Sequence, residues 1–149
     1  MTLEEVKAAI AFDQPKLRAA RDGPNIHVGG SYLLFENGAV AKPAGPISEF
    51  DIEIILSNRF PRHEPKVFEV GGRIPRCADR HVNPDGNCCV TVWEHWLACA
   101  THHSFAAFLN GPANEFFLGQ YWFEKTGNAP VRLRATERMT QLLNRAGIR

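Results

Sequence analysis

The apolar residues of this chain change period along its length. Over the first twenty positions they recur at about every third or fourth residue, and from Ile26 onward at every second. Leu3, Val6, Ala9, Ile10 and Leu17 mark an amphipathic helix from Leu3 to about Ala20. Glu4 and Glu5 sit in its first turn, where the helix dipole favours them, and Pro15 implies a break or kink partway. Asp22-Gly23-Pro24-Asn25 stops the helix. Ile26-His27-Val28 and Tyr32-Leu33-Leu34-Phe35 then read as two short strands. Phe50-Asp51-Ile52-Glu53-Ile54 alternates cleanly, as a half-buried antiparallel strand does. A helix followed by such a meander cannot be all-helical, and without alternating helices it is not a parallel α/β fold.

The connections are equally readable. Glu36-Asn37-Gly38 is a turn signal, and Ala39 to Pro46, rich in Gly and Pro, is a loop. Phe60-Pro61-Arg62-His63-Glu64-Pro65 is a stiff connection leading to a strand over Lys66–Val70, ended by Gly71-Gly72. From Ile74 to about Thr101 the only regular element expected is a short strand after Cys89, and so long an irregular stretch in a compact domain is usually functional. Ser104 suits the N-cap of a helix carrying Phe105, Phe108 and Leu109. Asn110-Gly111-Pro112 interrupts it, and Pro112 suits the first turn of a second helix carrying Phe116, Phe117 and Tyr121. Gly127 to Pro130 is a break. A last amphipathic helix is expected from about Val131 to Ala146, with Leu133, Met139, Leu142 and Leu143 inward. The expected architecture is therefore α+β in one domain spanning residues 1–149: an N-terminal helix, a four-stranded antiparallel meander, an irregular segment, and C-terminal helices.

A chain of 149 residues buries a core without staples. Its net charge of +1 gives no bulk electrostatic case for nucleic acid or a membrane surface. No run approaches the roughly 18 apolar residues of a membrane span. The start, Met1-Thr2-Leu3-Glu4-Glu5, has no basic and apolar export pattern, so a cytoplasmic location is expected.

The chemistry concentrates at His81-Val82-Asn83-Pro84-Asp85-Gly86-Asn87-Cys88-Cys89-Val90, where two adjacent thiols follow a turn and precede an apolar run. In a reducing compartment Cys77, Cys88, Cys89 and Cys99 are not expected to form disulfides, which leaves catalysis, metal binding and burial. Cys77, His81, Cys88, Cys89, Cys99, His102 and His103 are ligand types for a structural zinc module. Yet no Cys-x-x-Cys pair is present, and neighbouring cysteines in a strand point to opposite faces. Neither a metal nor a cofactor is expected, and without a Gly-rich phosphate loop no ATP site is visible. Trp93 and Trp96 read as packing residues.

The order of elements and two motifs resemble the ubiquitin-conjugating enzymes. Phe60-Pro61-Arg62-His63-Glu64-Pro65-Lys66-Val67 is similar to that family's Tyr-Pro-x-x-Pro-Pro-x-Val stretch, with Glu64 in place of the first proline of the pair. Asn83 to Val90 resembles Asn-x-x-Gly-x-Ile-Cys-Leu around the family's catalytic cysteine. Matching on Gly86 puts Cys89 at the catalytic position and Cys88 where the family has an aliphatic residue. Trp96 is similar to the tryptophan that follows the cysteine. Gly111 to Gln120 is similar instead to the divergent prokaryotic branch found in bacterial anti-phage operons, beside cyclic-oligonucleotide synthases or ubiquitin-like proteins. The family's His-Pro-Asn tripeptide is altered. Counted without a gap its asparagine falls on His81, and with a two-residue deletion on Asn83.

The resemblance implies a thioester carrier. Cys89 would take the C-terminus of a ubiquitin-like protein or of a cyclic-oligonucleotide synthase from a separate activating enzyme and pass it to an acceptor nucleophile. His81 or Asn83 would donate to the oxyanion, a role worth roughly 3–4 kcal/mol in other enzymes. Asp79 or Asp85 would orient the imidazole or take the acceptor's proton. Two other classes compete: the zinc module, and a catalytically inactive variant of the family that only binds a partner.

Overall fold

The structure, a computed structural model, describes residues 1–36 and 45–127. Most of the Ala39–Pro46 loop and the helix expected over Val131–Ala146 lie outside the described residues. The first element, α1 (Leu3–Asp13), opens with Thr2, whose hydroxyl accepts from the Glu5 N–H at 3.1 Å. Val6 and Ile10 form its buried side. It stops well before the expected Ala20, because Pro15 cannot continue it.

Leu17 therefore belongs to a strand and not to the helix. β1 (Leu17–Asp22), β2 (Asn25–Leu34), β3 (Ser48–Leu56) and β4 (Lys66–Glu69) form one antiparallel meander in that order. The count of four was expected, but the membership differs. β1 was hidden in the helical pattern, and the two short strands Ile26–Val28 and Tyr32–Phe35 are one strand passing through Gly29-Gly30. Gly30 has φ 129, and a Cβ there would lie 2.3 Å from the Lys16 carbonyl oxygen, so only glycine fits where β1 begins.

Beyond Gly30 the side of β2 that faced β1 has lost its strand partner, since pairing with β1 covers only Asn25 to Gly30. Gln14 takes over. Its side-chain amide accepts from the Leu33 N–H at 2.7 Å and donates to the Leu33 carbonyl at 2.9 Å, with the residue 1% exposed. A primary amide thus stands in for a missing peptide unit.

One sheet face carries the core. Phe50, Ile52, Ile54 and Leu56 of β3 are buried, while Asp51 and Glu53 point the other way. The long helical run over this face begins as expected with Ser104, which caps α3 (Phe105–Phe108). The expected interruption at Pro112 is not a break. Residues Leu109–Ala113 form a π-helical turn that leads straight into α4 (Asn114–Thr126). Pro112 has no N–H to give the Phe108 carbonyl, and the wider turn accommodates it. The Tyr32 hydroxyl lies 3.0 Å from both the Leu109 carbonyl and Asn114 Oδ1, which ties β2 to this turn. Burial holds the Tyr32 phenol well above the ordinary tyrosine range. Phe117 of α4 packs its ring 5.3 Å from Tyr32 and 4.9 Å from Phe50. Gly127, in the left-handed region, ends the helix where a break was expected.

A second correction concerns residues 74–101. No strand follows Cys89. The segment holds a 3₁₀ turn (Ala78–Arg80), a two-residue bridge at Val82 and Cys88, and the seven-residue α2 (Trp93–Cys99). Trp93, Trp96 and Leu97 share one side of α2 at i, i+3 and i+4. Trp93 donates from Nε1 to the Pro61 carbonyl at 2.9 Å, and Trp96 packs against it at a tilt, with ring centroids 4.7 Å apart. Both tryptophans are packing residues, as their sequence suggested. No helix among the described residues is long and apolar enough to cross a membrane.

Candidate functional site

The site begins as an extension of the sheet. Beyond β4 the Cys88 N–H donates to the Val67 carbonyl at 2.7 Å, and Phe68 bridges Asn87. The outer edge of β4 is thereby covered by the cysteine segment. That segment is one arm of a small hairpin whose other arm is Val82. The Cys89 N–H donates to the His81 carbonyl at 2.8 Å, and the Asn83 N–H donates to the Asn87 carbonyl at 3.0 Å. These bonds flank the Val82–Cys88 pair, so those two side chains share a face.

The tip follows from Asn83-Pro84-Asp85-Gly86. Gly86 N–H donates to the Asn83 carbonyl at 2.9 Å, with Pro84 at the position where its fixed φ suits the turn. Gly86 follows at φ 92, the conformation that closes a three-residue hairpin loop. The Arg76 guanidinium lies over it and donates to the Pro84 carbonyl at 3.3 Å. Asp85 is occupied by the turn, its Oδ1 accepting from the Asn87 N–H at 2.9 Å.

The hairpin separates the two thiols. Val82 and Cys88 face the core, 5% and 6% exposed. Burial pushes the Cys88 thiol up to about 12, so this sulfur stays protonated at neutral pH. Cys89 is partly exposed on the opposite side of the pleat. All four cysteines are free thiols.

The candidate oxyanion donors separate in the same way. His81 is the residue paired with Cys89 across the hairpin, whereas Asn83 is exposed, pairs with Asn87 and starts the turn. His81 also has an unusual backbone. The Val82 N–H donates to the Cys77 carbonyl at 3.2 Å, and the His81 N–H to the Ala78 carbonyl at 3.0 Å. This double closure after the 3₁₀ turn places His81 in the left-handed region, φ 57 and ψ 41, where glycine is usual. Among the described residues it is the non-glycine residue with positive φ. Asp79 is exposed within the 3₁₀ turn.

Two residues that the sequence did not single out hold this turn. Arg80 is 7% exposed, and its Nε donates to Gln120 Oε1 at 2.6 Å. Gln120, on α4 and 1% exposed, returns a bond from Nε2 to the Arg80 carbonyl at 2.7 Å. The guanidinium lies 4.3 Å from the Phe123 ring centroid. Burial lowers the Arg80 pKa, opposed by the nearby Glu124 and Cys77. The available sequence signal was a glutamine in the middle of an otherwise apolar run, Phe116 to Tyr121.

Among the described residues no three His, Cys, Asp or Glu side chains converge as metal ligands. The candidate zinc ligands are dispersed: Cys88 is in the core, Cys77 is exposed, and Cys99 lies 3.8 Å from both ring nitrogens of His95 on α2. A groove of about 570 Å³ between the start of α1, Phe60-Pro61 and His103–Ala106 contains none of the hairpin residues. Cys89 lies outside that groove. Comparison with protein-family models, curated proteins and solved structures found no match to this chain.

Proposed function

We propose that this chain is a thiol-dependent protein-conjugating enzyme similar to the ubiquitin-conjugating enzymes. Cys89 carries the C-terminus of a ubiquitin-like protein or of a cyclic-oligonucleotide synthase as a thioester and transfers it to an acceptor nucleophile, in anti-phage defence. The proposed fold is that family's, and the order of α1, the four-stranded meander and the C-terminal helices agrees with it. One observation carries the reading. The hairpin buries the sulfur of Cys88 and leaves Cys89 accessible opposite His81, in the register counted from Gly86. The position of Cys89 outside the apolar groove also suits a protein cargo, since an enzyme for a small substrate would be expected to enclose it.

The chemistry is two acyl transfers. The Cys89 thiolate attacks the carbonyl carbon of a donor thioester; the new C–S bond forms as the donor's C–S bond breaks, and the donor sulfur leaves with the electron pair. The acceptor amine then attacks the same carbon, the oxyanion collapses, and Cys89 leaves as thiolate while the amine proton passes to solvent or a carboxylate. A donor at the oxyanion lowers both barriers, and His81 is preferred of the two candidates because its backbone pairs with that of Cys89 across the hairpin, whereas Asn83 starts the turn. Activation of the cargo requires a separate enzyme.

A Cys89→Lys variant tests the assignment. Co-expressed with the proteins encoded beside it, the variant gives an adduct that resists reductant, and mass spectrometry of the branched peptide names the cargo. An adduct mapped to any other residue of this chain, or none at all, counts against the proposal.

A further inference from the structure

We infer that Gln120 is a positioning residue for the hairpin thiol, acting through the Arg80 carbonyl on the backbone of His81. The inference rests on Cys89 and His81 being the working pair proposed above. Gln120 is on α4, forty residues from Arg80 in sequence, and has no described bond to Cys89 or to the His81 side chain. What it does hold is the peptide between Arg80 and His81. Its Nε2 fixes the carbonyl of that peptide at 2.7 Å, while its Oε1 takes Arg80 Nε at 2.6 Å. Both contacts are buried, so breaking either one strands a polar group in the interior.

The peptide so fixed is the one whose rotation sets φ of His81. That residue is held in the left-handed conformation, which is unfavourable for a residue with a Cβ. Strain of this kind persists where the surroundings over-determine it, and it clusters at functional sites. The over-determination is visible here. The 3₁₀ turn fixes His81 from the N-terminal side, the Cys89 N–H fixes its carbonyl, and Gln120 fixes the peptide between. Arg80 itself is built for this support. Its Nη2 is buried with no hydrogen-bond partner among the described residues, and its guanidinium is stacked on Phe123. A guanidinium buried in this manner serves Gln120 and the turn, not the solvent.

Gln120→Glu separates positioning from support. The carboxylate keeps a charged acceptor for Arg80 Nε, which retains the α4–Arg80 contact, but it sets an oxygen against the Arg80 carbonyl where Nε2 had donated, so the hold on that peptide is lost. The readout is the alkylation rate of Cys89 by iodoacetamide from pH 5.5 to 9.5. It is measured on the full chain carrying Cys77→Ser and Cys99→Ser, with peptide mapping to confirm the site. His81→Gly in the same background defines the profile without the imidazole. The expected result is that Gln120→Glu takes on the altered profile of His81→Gly and alkylates about tenfold more slowly than its parent at pH 7, while its circular dichroism matches the parent. The inference is overturned if Gln120→Glu superimposes on the parent, or if His81→Gly does. Neither outcome depends on a cargo, so an absent thioester adduct would count against the proposed function alone.

Discussion

The N–H of Cys89 donates at 2.8 Å to the carbonyl of His81, eight residues earlier, across a small hairpin. The adjacent pair, Val82 and Cys88, turns inward. One thiol of the doublet is thereby committed to the core and the other to the surface.

Cys88 resists alkylation and makes the protein sensitive to alkali. An unfolded cysteine titrates near about 8.5, whereas burial pushes this one up to about 12. The folded state therefore holds a proton that the unfolded state loses. The stability linked to Cys88 is fully present below about pH 8.5 and declines as pH rises toward 12. Tyr32, also raised by burial, adds a similar loss above about pH 10. Urea titrations of Cys88→Val between pH 8.5 and 10 should show a flatter decline than the parent.

His81→Gly should fold at least as well as the parent. Glycine adopts the left-handed conformation freely, and relief of about 1 kcal/mol offsets its greater freedom when unfolded. Equilibrium unfolding should show no loss of stability, while any thioester transfer that depends on the imidazole falls. A large loss of stability would mean that the ring is a packing residue.

Gln14→Ala leaves the Leu33 N–H and carbonyl buried without partners. Each orphaned group costs about 1–3 kcal/mol. A loss of about 2–4 kcal/mol in urea unfolding is expected, larger than for alanine at an exposed position of α1 such as Glu4.

Arg73→Ala removes a staple between the sheet and α4. The guanidinium donates to Ser48 Oγ at 2.7 Å and to the Glu49 carbonyl at 2.6 Å, pairs with Glu124 at 2.9 Å, and lies 3.9 Å from the Phe50 ring centroid. Ion pairs this exposed are worth little alone, so the lost backbone bond and ring packing dominate, and a loss of about 1–2 kcal/mol is expected. Arg73→Lys should recover only part of it, because an ammonium cannot make the same fork.

Much of this arrangement is written in short-range pattern. The alternation of Phe50 to Ile54 marks β3, Asp85-Gly86 marks the hairpin tip, and the adjacency of Cys88 and Cys89 implies opposite faces. What escaped has physical reasons. Leu17 falls at a helical interval from Ile10 by coincidence, and the pairing of β1 with β2 overrides it. Gly29-Gly30 looks like an interruption of β2, but it is the close approach that lets β1 start. Pro112 looks like a stop, yet a π turn absorbs it. Gln14 and Gln120 are invisible to any periodicity, because each serves a backbone carbonyl nineteen or forty residues away.

The central claim is that Cys89, and not its neighbour, carries the acyl group. The most direct measurement is a pair of non-reducing and reducing gels of the chain co-expressed with the proteins encoded beside it, run for the parent, Cys89→Ala and Cys88→Ala. The account predicts a reductant-labile adduct in the parent and in Cys88→Ala that is absent from Cys89→Ala. An adduct that persists in Cys89→Ala, or that disappears in a folded Cys88→Ala, would contradict it.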